Sequence, residues 1–238
     1  MANSRAKTAS QKLKHKAARA LSKAPARPRS ASQNGTSQGE GGARQQLLTA
    51  AKRLFARKGL SATTIRDISN EAGLNSSLIS YYFDGKDGLY KECIKQIGTE
   101  RLSVAKEILS EAESASEFRL RLKMFTENLF KLYLEDRESG LIIVREYDRI
   151  DSPAEEIFRN TFLRVFEQLH NFFKAAQERG LIDAEKDSFT MAKLFFGSLS
   201  SQMRLDHINE KVYGKSIKDS EERKKVLHHI LDLFLPLK

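Results

Sequence analysis

The stretch Thr64-Ile-Arg-Asp-Ile-Ser-Asn-Glu-Ala-Gly-Leu-Asn-Ser-Ser-Leu-Ile-Ser-Tyr-Tyr-Phe-Asp-Gly-Lys86 decides the fold. Thr64 followed three residues on by Asp67 forms a capping box, with Asp in place of the commoner Glu. The helix it opens buries Ile65, Ile68 and Ala72, and Gly73 supplies a tight turn. Asn75 or Ser76 caps a second helix, with Leu74 as its hydrophobic staple. In that helix Ile79 and Phe83, four apart, share one face and are predicted to be buried. Ser77, Leu78, Ser80 and Tyr81 fall on the other faces. Asp84-Gly85-Lys86 then breaks the chain and starts a third helix. Two short helices joined in this way are a helix-turn-helix, whose second helix can enter the major groove of DNA.

Upstream, Ala43 to Lys58 places Leu47, Leu48, Ala51, Leu54 and Phe55 on one helical face, and Gly59 ends the helix. The second helix of the motif carries small hydroxyl side chains that let it seat deeply in a groove, and tyrosine hydroxyls that reach phosphate oxygens. The free N–H groups of the following helix start, beside Lys86, suit a phosphate clamp.

At these residues the chain resembles the TetR family of bacterial transcriptional regulators. The likeness rests on Ala50-Ala51, Leu54-Phe55, Gly59, Thr63-Thr64, Asp67-Ile68, Ala72-Gly73, Tyr82-Phe83 and Lys86. It implies that Arg66 reaches a base or phosphate, that Ser76, Ser77, Leu78 and Ser80 face base edges, and that Tyr81, Tyr82 and Lys86 contact the backbone, with Thr64 a further phosphate contact. The chain departs from the family pattern at Ser80, where many members carry Tyr.

Composition bounds the rest. The chain has 238 residues, 40% of them hydrophobic, enough for a small and a medium domain. It holds no apolar run of membrane-spanning length and a single cysteine, Cys93, which fits a reducing cytoplasm; the expected location is cytoplasmic and nucleoid-associated. Cys93, on a helix, reads as a packing residue. Residues 1–40 hold nine Lys or Arg and one acid, so +8 of the net +10 charge sits there. With few large aliphatics, residues 1–42 are expected to be a disordered basic tail ending in a flexible Ser30–Gly42 linker. Three readings compete for it: an arm that tracks phosphates beside the helix-turn-helix, an organellar transit peptide, or an inert extension or misassigned start. The bacterial resemblance argues against the second, and the arm is favoured.

From Lys86 the pattern is helical: about 86–109, 116–136, 141–150, 154–179, 187–208 and 221–235. The predicted fold is all-α, about nine helices, with a helix-turn-helix head at 43–90 and a helical regulatory and dimerisation domain at 91–238. The last two helices, presenting Phe189, Ala192, Phe196, Leu199 and Met203, then Val226, Leu227, Ile230, Leu231 and Phe234, are candidates for self-association. Periodicity alone does not separate a dimer face from a monomer core. The Lys211–Arg223 connection reads as polar and mobile. The resemblance implies a homodimer through those two helices and a ligand pocket in the body. Phe125, Tyr147, Phe162, Phe166 and Phe196 are candidate walls, with His170, Arg145 or Glu146 as polar selectors; the competing reading is a filled aromatic core.

The function expected is a homodimeric repressor bound to a palindromic double-stranded operator and released by a small, mainly apolar ligand. The alternative is a DNA-bound or nucleoid-associated interaction protein of the same fold, controlled by a protein partner. No catalytic constellation, cofactor motif or metal-ligand cluster stands out, and the adjacent His228 and His229 point to different helix faces.

Overall fold

The computed structural model describes residues 36–147, 149 and 151–234, with side chains from Gly41 onward. Every regular element among them is helical: α1 (Thr36–Lys58), α2 (Ile65–Ala72), α3 (Ser77–Phe83), α4 (Gly85–Ile108), α5 (Ala115–Glu135), α6 (Arg137–Tyr147), α7 (Glu155–Phe158), a π turn (Arg159–Leu163), α8 (Arg164–Glu178), α9 (Ser188–Tyr213) and α10 (Ser220–Phe234). Because α7, the π turn and α8 run on without a break, nine helical rods are present among the described residues.

The chain packs as two compact units. The first holds Ala31–Ser103 and Leu132–Val165, so it includes the helix-turn-helix together with α6 and the π turn. Its core gathers Leu47, Ala51, Leu54 and Phe55 of α1, Ile68 of α2, Ile79 and Phe83 of α3, Leu89, Cys93 and Ile94 of α4, and Ile142 of α6. Each Leu, Ile or Phe side chain of this set, fully buried, stabilises the unit by about 1.5–3 kcal/mol relative to exposure. Cys93 is one of them, and burial pushes its thiol up to about 12, so it packs and does not react. Where α4 crosses the π turn, a β-carbon added at Gly98 would overlap the Thr161 side chain and the Phe162 ring.

The second unit comprises Val104–Lys131 and Phe166 onward. Aromatic contacts run through it from helix to helix. Phe118 of α5 stacks on Phe172 of α8 at 4.6 Å, Phe173 meets Phe195 of α9 at 5.9 Å, and Phe195 meets Phe234 of α10 at 5.3 Å. Buried Arg121 donates to the Ile108 carbonyl at 2.9 Å and pairs with Glu117 at 2.8 Å, tying off the last turn of α4.

Several expectations need correction. Helix α1 begins at Thr36, so residues 36–42, read as linker, are helical. Extending a strong helix backwards adds one hydrogen bond per residue without a new nucleus, which offsets the glycines there. The rest of the basic tail lies outside the described residues. Helix α6 starts at Arg137 rather than Leu141 and ends at Tyr147. Asp136 caps that start, its carboxylate accepting from the Ser139 amide and hydroxyl. Helix α9 continues to Tyr213 and stops at Gly214, and the loop after it is pinned, not free. Buried Asp206 accepts from the Ile217 amide at 2.8 Å and the Ser216 hydroxyl at 3.0 Å. Half of the residues nominated for self-association on the last two helices belong to the unit's own core: Ala192, Leu199, Leu227, Ile230 and Leu231 are buried, while Phe189 is 48% exposed. The exposed apolar stripe of α9 is instead Leu194, Leu205, Ile208 and Val212, spaced at whole helical turns.

Candidate nucleic-acid interface

The capping box at α2 is present in full. Thr64 Oγ1 accepts from the Asp67 amide and Asp67 Oδ2 accepts from the Thr64 amide, both at 3.0 Å. These bonds, the backbone one first, hold the Asp67 carboxyl below its ordinary range, with the Lys58 ammonium 3.5 Å away adding to the effect. At the other end of α2, Gly73 takes the left-handed conformation and its amide reaches the Asn70 carbonyl, while that of Leu74 reaches Ser69.

The two candidate caps of α3 separate. Ser76 is already helical and makes no side-chain capping bond. Asn75 Oδ1 does that work, accepting from the Ser77 amide and hydroxyl, each at 2.9 Å. Since the Ser77 hydroxyl spends its proton on Asn75, its lone pairs are left to accept from another donor.

On α3 the predicted division of faces is found. Ile79 is fully buried and Phe83 is 7% exposed, while Tyr81 on the far side is 72% exposed. Ser76, Ser77 and Ser80 are exposed with it, as are Thr64 and Arg66 of the preceding helix start. Leu78 and Tyr82 are half-buried and pack against the core, so they belong to the frame as much as to the outer surface. Tyr81 and Tyr82 meet edge to face at 4.9 Å, which orients the exposed ring.

Lys86 is placed differently from a free phosphate ligand. Its ammonium donates to the carbonyls of Leu60 at 3.0 Å and Thr63 at 2.9 Å. Those carbonyls belong to the α1–α2 loop, so two of its three protons clamp that loop to the start of α4. Thr63, fully buried, closes the same loop from within by donating to the Gly59 carbonyl at 2.7 Å.

Four residues that sequence reasoning left out or assigned elsewhere also hold this head. A β-carbon at Gly88 would overlap the Phe83 carbonyl, so only glycine lets α4 turn so tightly against α3. Arg44 lies over the Phe83 ring, 5.1 Å from its centroid, and pairs with Glu92 at 2.8 Å. Arg145, nominated as a ligand selector, donates to the carbonyls of Phe55 and Ala56 at 2.7 and 2.6 Å and so caps α1. Glu146, the other nominated selector, is 4% exposed and is satisfied by the hydroxyls of Tyr90 and Ser152. Both serve the frame, and nothing in their residue types distinguishes that use from ligand contact.

The candidate pocket residues form separate groups. In the first unit Tyr147 and Phe162 both pack on Phe158, at 4.8 and 4.9 Å. In the second, Phe166, His170 and the edge of Phe189 meet at 5.4–5.5 Å, and Phe196 lies 6.2 Å from Phe166. Phe125 is buried at 2% exposure. Among the described residues no group of three His, Cys, Asp or Glu side chains is arranged to hold a metal ion, and no helix is long and apolar enough to cross a membrane.

These features define a helix-turn-helix head, braced by α1, α4 and α6, within an all-helical chain. Residues 47–93 match the family model described as bacterial regulatory proteins, tetR family, so this segment is similar to the DNA-binding head of those regulators. The HTH-type transcriptional repressor KstR2 of Rhodococcus jostii is 42% identical over 57 residues, which are 24% of this chain and 28% of that protein. The BetI regulator of Vibrio campbellii is 39% identical over 66 residues, 28% of this chain and 33% of its own. The match thus spans about a third or less of these curated relatives. Over a longer span the chain is similar in fold to the FadR regulator of Bacillus subtilis solved with stearoyl-CoA, with a TM-score of 0.66 at 16% identity, covering 81% of this chain and 97% of that one.

Proposed function

We propose that the chain is a homodimeric transcriptional repressor that holds a palindromic operator and releases it when a small, mainly apolar ligand binds. In this reading residues 43–90 are the DNA-binding domain, residues 91–238 the regulatory and dimerisation domain, and residues 1–42 a basic arm. The observation that carries it is the division of α3: Ile79 and Phe83 sit in the core while Ser76, Ser77, Ser80 and Tyr81 face out together. An exposed row of small hydroxyls with a tyrosine beside it is the chemistry of groove entry and phosphate contact. Arg66, at the exposed start of α2, adds a cation able to reach base or backbone.

Dimerisation is supported by the apolar stripe left open on α9 and by Leu233 of α10, 76% exposed. A twofold partner would cover it and set two recognition helices about 34–36 Å apart, one turn of DNA. The ligand reading draws on the Phe189 and Phe166 rings grouped beside His170 and on the stearoyl-CoA named for the FadR structure. Such a ligand shifts the dimer only by its difference in affinity for the DNA-bound and released states.

The test is selection from random duplex DNA with the full chain. Enrichment of an inverted repeat whose half-sites lie about one helical turn apart is expected. Recovery of unenriched sequence at low affinity would contradict the reading.

A further inference from the structure

Beside the helix-turn-helix, on walls that include no residue of α2 or α3, the first unit holds an open cleft of about 600 Å³. It is lined by Phe55, Leu60 and Ile142 at its floor, and by Lys58, Arg145 and Arg149 at its rim. Its described lining contains three cations and no acid. Like charges are costly to gather unless an anion joins them, and these three are only partly neutralised. Lys58 has Asp67 at 3.5 Å. Arg145 is exposed, and its guanidinium bonds only neutral carbonyls. Arg149 lies over the Tyr90 ring, 5.9 Å from its centroid, in a cation–π contact. The Tyr90 hydroxyl is spent on Glu146 at 2.6 Å, and burial raises its pKa far above the phenol's ordinary value, so it stays neutral.

We infer that this cleft is a binding site for a dianionic phosphate group on a small molecule, separate from the DNA-reading surface. Two guanidinium groups line the same cleft, planar forks of the kind that match phosphate oxygens, and a lysine adds a third positive charge. The Ser61 hydroxyl, also in the lining, offers a neutral donor. A volume of about 600 Å³ exceeds a bare phosphate several-fold and leaves room for an organic moiety over the apolar floor. Because Arg145 also caps α1, an occupant of the cleft acts on the same guanidinium that fixes the head's first helix.

The test is calorimetric titration of the full chain with inorganic phosphate and with glycerol 3-phosphate, each against chloride at equal ionic strength. Saturable binding of at least one phosphate species is expected, with the monoester favoured if the organic moiety is held. Arg149→Gln is expected to weaken it by about ten-fold, the equivalent of one lost charge-assisted bond, while leaving the thermal midpoint unchanged. The double variant Arg66→Ala/Tyr81→Ala is expected to keep it. The proposal is overturned if both phosphates behave like chloride, if Arg149→Gln binds as the parent does, or if Arg66→Ala/Tyr81→Ala abolishes binding, which would move the anion to the DNA-reading surface.

Discussion

The guanidinium of Arg145 holds the carbonyl of Ala56 at 2.6 Å, so a side chain 89 residues downstream closes the first helix of the head. The last carbonyls of a helix have no partner within it, and a cation there also meets the negative end of the helix dipole. Replacing Arg145 by Gln is expected to destabilise the first unit by about 1–2 kcal/mol, read as a lower urea midpoint at unchanged slope. Solvent screening keeps the effect modest, because the side chain is exposed.

Lys86 separates two roles that the sequence merges. If its ammonium mainly clamps the Leu60 and Thr63 carbonyls, Lys86→Met lowers stability by roughly 2 kcal/mol as well as weakening DNA binding. A pure phosphate ligand would weaken binding, reduce the log–log salt slope by about 0.9 and leave the urea midpoint where it was. The structure predicts the first outcome.

The capping box makes a pH prediction. The Asp67 carboxyl is held below its unfolded value, so its contribution is present above the ordinary carboxylate pKa near 3.8 and is lost as pH falls through the folded value. Asp136, on which burial acts upward but the Lys52 ammonium at 2.6 Å and Ser139 act downward more strongly, behaves in the same sense. Thr64→Ala is expected to cost about 1 kcal/mol at neutral pH. With Asp67→Asn, part of the acid-induced loss below pH 4 should disappear from a circular-dichroism titration. An unaltered acid limb would remove Asp67 from that linkage.

Gly88→Ala tests the α3–α4 junction. A methyl there overlaps the Phe83 carbonyl, so one helix must shift and carry the exposed face of α3 with it. Overpacking of this kind costs about 1–3 kcal/mol, and a lower thermal midpoint with weaker DNA binding is expected.

Local patterning made the head readable. The Thr64–Asp67 box, the Gly73 turn and the Ile79–Phe83 pair are short-range signals, and the structure follows them. Missed features depend on partners distant in the chain. The Arg145 cap joins residues separated by 89 and 90 positions, and Tyr90 to Glu146 spans 56. Helix ends failed for a related reason. Asp136 and Asp206, ordinary surface acids by type, fix the start of α6 and the loop after α9 through bonds that only the fold supplies. The face of α9 was legible only in part because a 26-residue helix has apolar residues on more than one side. Ala192 and Leu199 turn inward, leaving Leu194, Leu205, Ile208 and Val212 outside.

The central claim is that the outward face of α3, with the start of α2, reads DNA. Its most direct test is fluorescence anisotropy on a selected duplex with Arg66→Ala/Tyr81→Ala, two side chains that are exposed and outside the core. At least a ten-fold loss of affinity, about 1.4 kcal/mol, is expected at an unchanged urea midpoint. Affinity within about two-fold of the parent, well under 1 kcal/mol, would contradict it.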